Sequence, residues 1–138
     1  MVDQHSKVLV LDTGALLAGI PLIVPLKCYT TGAVVGEVKD SESRRVLEEA
    51  LESGRLEIIE PRVEYMREAF ELARRANTLK YLSEVDLKVI ALALDLKARG
   101  EDVIVASDDY RIQETLVKAG IGLLRVRYRG IKLNVLKP

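Results

Sequence analysis

The sequence predicts a single α/β domain built on a largely parallel sheet. Short apolar runs rich in β-branched residues alternate along the chain with amphipathic helical segments. Runs of this kind are typical of strands buried on both faces, as in parallel sheets. No internal repeat, low-complexity tract or flexible linker interrupts the 138 residues. We therefore assign residues 1–138 to one domain, a length that can bury a self-sufficient core.

Four segments are predicted strands. Lys7–Leu11 and residues 103–106 are almost wholly apolar, with too little alternation for a half-exposed strand. Residues 56–59 and 123–126 are the third and fourth candidates.

Two helical patterns lie between these strands. Residues 62–76 form the first, in which Glu71 and Arg75 are spaced for a surface ion pair. Its apolar residues recur at intervals of three and four, at Val63, Met66, Phe70 and Ala73. The second stripe ends at Gly100 and consists of Leu87, Ile90, Ala91, Leu94 and Ala98. The apolar segment 19–27 carries two prolines and is interpreted as a loop packed against the domain, in preference to an interface or a substrate lid.

The composition restricts the classes of site and of location. Cys28 is the only cysteine and His5 the only histidine, so an internal disulfide and a zinc-ribbon site are excluded. Any metal must be held by oxygen, which favours magnesium or manganese. The longest apolar stretch, residues 14–26, is too short and too broken by proline to cross a membrane, and it does not follow a signal-peptide pattern. A cytoplasmic protein is expected.

The charge balance does not suggest a general affinity for nucleic acid. The 21 basic and 21 acidic residues give a formal net charge of zero. A nucleic-acid function must therefore depend on local charge.

Acidic residues follow two of the predicted strands directly. Asp12 comes after the first strand and Asp108 after residues 103–106. Because the carboxyl ends of parallel strands meet at one edge of a sheet, these two acids are expected to lie near each other. The pattern alone does not place Asp86, at the start of the second helix, or Glu37 on that edge.

Each acid also has a purely structural interpretation. Asp12 and Asp108 could cap the helices that follow them, Ser83 and Asp86 fit a capping box, and Glu37 could be a solvated helix residue. Taken together, however, acids gathered on one edge would repel each other by roughly 4 kcal/mol per pair at about 4 Å and an effective dielectric near 20. A divalent cation would remove that penalty, polarise a phosphate and lower the pKa of bound water.

Four segments of the sequence resemble the PIN domain of the NOB family, the endonucleases that trim the 3′ end of small-subunit ribosomal RNA. They are Val-Leu-Val-Leu-Asp-Thr at 8–13, Tyr-Thr-Thr-x-x-Val-Val-x-Glu-Val-x-Asp at 29–40, Leu-Ser-x-x-Asp-x-x-Val-x-Ala-Leu-Ala at 82–93, and Ser-Asp-Asp-Tyr-x-Ile-Gln at 107–113. The successive acids are 25, 49 and 22 residues apart, and the resemblance covers nearly the whole chain.

The resemblance implies a fold, a reaction and a site. The implied fold is a three-layer α/β/α sandwich, and the implied reaction is metal-dependent hydrolysis of RNA phosphodiester bonds, with precursor small-subunit rRNA as partner. Asp12, Glu37, Asp86 and Asp108 would be the catalytic and metal-binding acids, with Mg²⁺ or Mn²⁺ as cofactor. Since His5 lies near the terminus, the attacking hydroxide is expected from water rather than through an imidazole base. Members of the family usually carry a cysteine-rich zinc ribbon after this domain, whereas no cysteine follows Cys28 here.

Other residues could assist this site. Ser107 could orient a ligand or water, or simply cap a helix, and Asp109 could support the metal or be a first-turn helix residue. Arg125, Arg127 and Arg129 alternate around Tyr128, so this segment could bind phosphates and stack on a base, or it could be a sheet edge protected by charge.

Three alternative functions compete with this interpretation. A VapC-type toxin would use the same chemistry with a protein antitoxin as partner, and a neighbouring antitoxin gene would identify it. A phospho-accepting receiver domain needs an acid pair after the first strand and is disfavoured, because Thr13 follows Asp12. A domain that only binds RNA is disfavoured by the presence of all four acids. The sequence leaves open the RNA target, the number of metals and whether the chain forms a homo-oligomer.

Overall fold

A six-stranded sheet is the centre of the computed structural model, which describes residues 7–126 and 134–136. The strands are β1 (Lys7–Leu11), β2 (Cys28–Thr30), β3 (Leu56–Ile58), β4 (Asp102–Ser107), β5 (Gly122–Arg125) and β6 (Asn134–Leu136). Their order across the sheet is β3-β2-β1-β4-β5-β6. The first five are parallel and β6 is antiparallel to β5. The prediction of a largely parallel sheet is confirmed.

Helices connect the strands and cover both faces of the sheet. They are α1 (Thr13–Leu17), α2 (Ile20–Ile23), α3 (Gly32–Gly36), α4 (Ser41–Glu52), α5 (Val63–Arg75), α6 (Glu84–Ala98) and α7 (Tyr110–Val117), with a 3₁₀ turn at Leu79–Tyr81. Four successive residues of β1, Val8 to Leu11, are buried. Because successive side chains of a strand point to opposite faces, both faces must be covered. The structure is the expected α/β/α sandwich.

The predicted strands are found at or within one residue of their expected ends. The prediction for Lys7–Leu11 is confirmed, and residues 103–106 lie inside β4. β3 and β5 each end one residue before the predicted segments do. Neither β2 nor α4 was predicted from the sequence, and β2 has only three residues, which are too few to show an alternation of apolar and polar residues.

The face of α5 that packs on the domain differs from the predicted stripe. Val63 is 65% exposed and Phe70 is 46% exposed. Of the predicted stripe, Ala73 is buried and Met66 is half-buried against the core, and the other buried residues of the helix are Ala69 and Leu72. The buried face is therefore rotated relative to the predicted stripe. The surface ion pair of Glu71 is also different, since it joins Arg74 at 2.8 Å rather than Arg75.

A buried charge connects the start of α5 to α6. Asp95 is fully buried, and its carboxylate accepts hydrogen bonds from the main-chain N–H of Arg62 at 2.9 Å and from the Arg62 guanidinium at 2.6 Å. Arg99 donates a further bond to it at 2.9 Å. Burial alone would raise the pKa of Asp95, but these hydrogen bonds hold that pKa well below its usual range.

The apolar segment 19–27 packs against the domain, as predicted. It contains α2, in which Ile20 and Pro21 are buried, while Ile23 remains 46% exposed. Across residues 7–126 and 134–136, no helix has the length and apolar character that crossing a membrane would require.

Candidate active site

The ends of the two central strands bring the first and last candidate acids to the same edge of the sheet. β1 and β4 are paired in parallel, with Leu11 opposite Ala106. Asp12 and Ser107 follow these residues, and Asp108 comes directly after β4. The expected proximity of Asp12 and Asp108 is confirmed, because the strand register places them side by side and the Asp108 carboxylate lies against Gly14, two residues after Asp12.

Asp12 is buried and has a neighbour at each carboxylate oxygen. Its Oδ1 accepts a hydrogen bond from the main-chain N–H of Ala15 at 2.8 Å, so Asp12 does cap α1. Its Oδ2 accepts a bond from the hydroxyl of Ser107 at 2.5 Å. With only 4% of the residue exposed, burial raises the pKa of Asp12 to about 7, with Asp108 adding to the rise and the hydrogen bonds opposing it. Capping therefore accounts for only one of its two oxygens.

Asp108 is not the cap of the helix that follows it. The cap of α7 is Asp109, whose Oδ1 accepts from the main-chain N–H of Arg111 at 2.8 Å. The prediction that Asp108 could serve as a cap is therefore wrong by one residue. Asp108 is exposed, and its carboxylate lies against Gly14, where an added Cβ would overlap it. Gly14 leaves the space that the carboxylate of Asp108 occupies.

Glu37 lies at the end of α3, where it contacts the residue after Asp12. Its Oε1 accepts a hydrogen bond from the hydroxyl of Thr13. The start of α3 is held by the Thr31 hydroxyl, which caps Val34, and by Glu60, which accepts from the N–H of Gly32 at 2.8 Å. Glu37 is exposed and follows α3 directly, which resembles its purely structural interpretation, but its hydrogen bond to Thr13 also joins it to the end of β1.

Asp86 is held at the start of α6 by the predicted capping box. The main-chain N–H of Ser83 donates to Asp86 at 2.8 Å, and the N–H of Asp86 donates to the Ser83 hydroxyl at 3.1 Å. Burial raises the pKa of Asp86, and the charges of Asp109 and Glu37 raise it further. Asp86 therefore lies close enough to Asp109 and Glu37 for their charges to raise its pKa.

The structure thus gathers the four acids along one edge, which we call the acid edge: Asp12, Glu37, Asp86 and Asp108. It does not bring them into a single tight cluster. Within the described ranges, no three acidic, histidine or cysteine side chains form a ready-made metal-binding group. Hydrogen bonds from Ser107, Thr13 and Ser83 hold Asp12, Glu37 and Asp86, respectively.

Ser107, the buried last residue of β4, holds the acid edge in place. It is fully buried and donates to Asp12, and its hydroxyl also accepts from the N–H of Asp109 at 2.9 Å. The Gln113 side chain donates to the Ser107 carbonyl at 2.9 Å. Of the two interpretations of Ser107, the one in which it orients another side chain fits these contacts.

Sequence reasoning missed several residues that shape the edge. Thr13, Gly14, Glu60 and Gln113 all contact it or hold it in place. Thr13 and Gln113 belong to the segments 8–13 and 107–113, but no role was assigned to them, and Gly14 and Glu60 belong to none of the four segments.

The predicted basic segment is only partly described. Arg125 is half-buried at the end of β5. Arg127, Tyr128 and Arg129 lie outside the described residues, as does His5. The RNA-binding role of this segment stays a prediction.

The chain is similar to known ribonucleases over most of its length. A family model described as the PIN domain of ribonuclease matches residues 9–96, which include Asp12, Glu37 and Asp86. Ribonuclease VapC3 of Aeropyrum pernix is 46% identical over 122 residues, which cover 88% of each chain. Endoribonuclease Nob1 of Pyrococcus abyssi is 40% identical over 90% of this chain and 71% of its own length. Endoribonuclease Nob1 of Methanothermobacter thermautotrophicus is 39% identical over 89% and 71%, respectively.

Proposed function

The chain belongs to the PIN-domain ribonucleases and is an endoribonuclease, and we propose that it matures the 3′ end of small-subunit ribosomal RNA at the acid edge with Mg²⁺ or Mn²⁺. The observation that carries this proposal is the convergence of Asp12 and Asp108 at the ends of two adjacent parallel strands, with Glu37 and Asp86 beside them. Family membership supplies the reaction class, and the geometry suggests which residues perform it.

The donors of the acid edge suit a hard divalent cation. Its side chains offer carboxylate and hydroxyl oxygens, and the mutual charge of Asp12 and Asp108 disfavours keeping both ionised without a counter-charge. Mg²⁺ is commonly bound through one or two carboxylates and several waters, so a preformed group of three acids is not required. We assign Asp12 and Asp108 as the principal ligands, with Glu37 and Asp86 completing the site directly or through water.

The chemistry that such a cation supplies is polarisation of the phosphate and a lowered pKa of bound water. The residues of the chain contribute by orientation. Ser107 fixes one oxygen of Asp12, Thr13 fixes Glu37, and Ser83 fixes Asp86, so each acid presents a defined direction to the substrate. Gly14 leaves Asp108 exposed beside Asp12.

Support for ribosomal RNA as the substrate comes from the relatives and from the sequence. Two relatives named endoribonuclease Nob1 align with nine tenths of the chain at about 40% identity. The segments that carry the resemblance, Tyr-Thr-Thr at 29–31 and Ser-Asp-Asp-Tyr at 107–110, lie at the acid edge or lead into it.

A second candidate function is that of a VapC-type toxin, favoured by the 46% identity to ribonuclease VapC3. The catalytic residues would be the same, but a protein antitoxin would be the partner and another RNA the target. The two candidates therefore differ in specificity and in partner, and not in chemistry.

The deciding experiment is cleavage of a precursor rRNA fragment that spans the mature 3′ end, beside unrelated RNAs of equal length. We expect cleavage at the authentic junction in Mg²⁺ or Mn²⁺, and none with Asp108→Asn. Equal cleavage of all RNAs, or preference for an unrelated one, would favour the toxin function. If wild type cleaves no RNA with either metal, the proposed function fails.

A further inference from the structure

A surface depression of about 680 Å³ next to the acid edge combines positive charge with an aromatic ring. Its lining includes Arg74 from the end of α5, Lys80 and Tyr81 from the 3₁₀ turn, and Arg111 from α7. We call it the Tyr81–Arg111 depression. None of its basic residues belongs to the segment that sequence analysis selected for RNA binding.

The depression adjoins the acid edge through two chain segments. Ser83, which fixes Asp86, is two residues after Tyr81. Asp109, whose charge acts on Asp86, caps the helix turn that contains Arg111 and accepts its main-chain N–H. The depression therefore lies beside the position that an RNA strand would occupy at the acid edge.

The aromatic group is held in place and remains accessible. The guanidinium carbon of Arg111 lies 3.9 Å from the centroid of the Tyr81 ring, a stacking distance. Tyr81 is nevertheless 49% exposed, and Tyr110, whose ring centroid lies 5.9 Å from the Arg111 guanidinium carbon, is 64% exposed. An exposed ring beside cationic groups is the combination that unpaired bases stack on in single-stranded RNA binders.

The basic groups are available to phosphate. Arg111 is 3.4 Å from Glu114 and Arg74 is 2.8 Å from Glu71, and all four side chains are more than one third exposed. Exposed ion pairs of this kind contribute little to stability, so exchanging a carboxylate for a phosphate disturbs the fold little. Lys80 is exposed and lies 5.2 Å from the Tyr81 ring.

A buried hydrogen bond fixes the two halves of the depression relative to each other. The hydroxyls of Thr78 and Thr115 are 2.5 Å apart, and both residues are fully buried. Thr78 immediately precedes the 3₁₀ turn, and Thr115 lies on α7 together with Arg111. The chain reaches Thr78 through Asn77, which adopts a positive φ of 60°. The surface is therefore preorganised, which reduces the entropy lost on binding.

We propose that the Tyr81–Arg111 depression binds single-stranded RNA beside the cleavage site, with Tyr81 stacking on an unpaired base and Lys80 and Arg111 contacting phosphates. This inference rests on the proposed function, because it assumes that the substrate of the acid edge is RNA. The depression would be the surface along which the RNA strand enters or leaves the acid edge.

The test is the affinity for a labelled single-stranded RNA, measured by fluorescence anisotropy across a salt titration in the Asp108→Asn background. Lys80→Gln/Arg111→Gln should weaken binding and reduce the slope of log affinity against log salt by about 1.4, since each single-strand phosphate contact contributes ~0.7. The matched control is Lys7→Gln/Lys118→Gln, which removes two exposed charges, one from the start of β1 and one from the end of α7. It should keep the wild-type slope.

The aromatic contribution is tested separately. Tyr81→Leu should weaken single-strand binding about tenfold, whereas Tyr81→Phe should preserve it, because stacking needs the ring and not the hydroxyl. Melting temperatures of all variants establish that they are folded. Equal losses in the depression and control variants, or full affinity in Tyr81→Leu, would overturn the inference.

The outcomes separate this inference from the proposed function. If these variants bind RNA as the wild type does and the wild type still cleaves RNA with metal, the depression is not the binding surface. The proposed function of the acid edge is then unaffected. If RNA binding depends on Tyr81 but the wild type cleaves no RNA with Mg²⁺ or Mn²⁺, the depression is an RNA-binding surface and the proposed function fails.

Discussion

The carboxylate of Asp108 occupies the space that a side chain at Gly14 would fill. Gly14 lies in the first turn of α1, the helix that Asp12 caps. Its φ is not positive, so the backbone would accept alanine. Glycine is therefore needed at position 14 because it leaves space for Asp108, and not because the backbone adopts an unusual conformation.

Gly14→Ala should reduce cleavage without lowering stability. The new methyl group must displace the Asp108 carboxylate, while alanine favours the helix by roughly 0.5–1 kcal/mol over glycine. Rates of RNA cleavage and the free energy of unfolding in urea measure the two effects. Gly36→Ala is the matched control, because a Cβ there meets nothing within 4 Å. Equal activity of both variants would show that the position of Asp108 does not matter.

Asp12→Asn and Asp108→Asn should separate metal binding from capping. Asparagine caps a helix about as well as aspartate, so α1 should persist in Asp12→Asn. Without metal the variants should be as stable as wild type or more stable, because one of two neighbouring charges is removed. With Mg²⁺ or Mn²⁺ at a hundredfold excess over Kd, wild type should gain about 2.7 kcal/mol and the variants much less. Thermal melting with and without metal measures this, and identical metal-induced shifts in all three proteins would contradict the assignment.

Cleavage should depend on the metal directly. Excess EDTA should abolish it, and Mg²⁺ or Mn²⁺ added beyond the chelator should restore it, since the four residues of the acid edge are all carboxylates and a bound cation would supply the positive charge that stabilises the transition state. Gel analysis of the RNA products is sufficient. Persistent activity in EDTA would exclude the metal-dependent mechanism.

Asp95 should make stability fall at acidic pH. Its pKa is depressed in the folded protein, so its contribution is fully present above the unfolded pKa of about 4 and is lost as the pH falls toward the folded value. Asp95→Asn should lower stability at pH 7 by about 1–3 kcal/mol and should lose less than wild type on acidification. Urea unfolding at pH 7 and pH 3 compares the two. Asp102→Asn, from the exposed pair with Lys7, serves as control and should change little at either pH.

Sequence reasoning predicted those parts of the site that depend on strand direction. Asp12 and Asp108 follow apolar strands, and parallel pairing places such residues together without further information. The capping box of Ser83 and Asp86 was predictable because it is local in the chain.

Contacts between distant segments were not predictable in this way. The close approach of Asp108 to Gly14, the stacking of Arg111 on Tyr81, and the hydroxyl pair of Thr78 and Thr115 join residues that no spacing rule connects. The stripe of α5 was only partly correct for a related reason, since Val63 and Phe70 are exposed. Periodicity shows that a helix has an apolar side, but only its neighbour α6 determines which residues are covered.

The strand order has one further consequence for where chemistry can occur in this sheet. From β1 the chain proceeds outward through β2 to β3, and from β4 it proceeds in the other direction to β5. The connections that leave β1 and β4 therefore diverge, which is the arrangement that places ligand sites at the carboxyl ends of the strands in open α/β sheets. Between β1 and β2, or between β4 and β5, both connections lead the same way, so no such divergence occurs there. The path of the backbone thus selects the position of the site before any acidic side chain is placed in it.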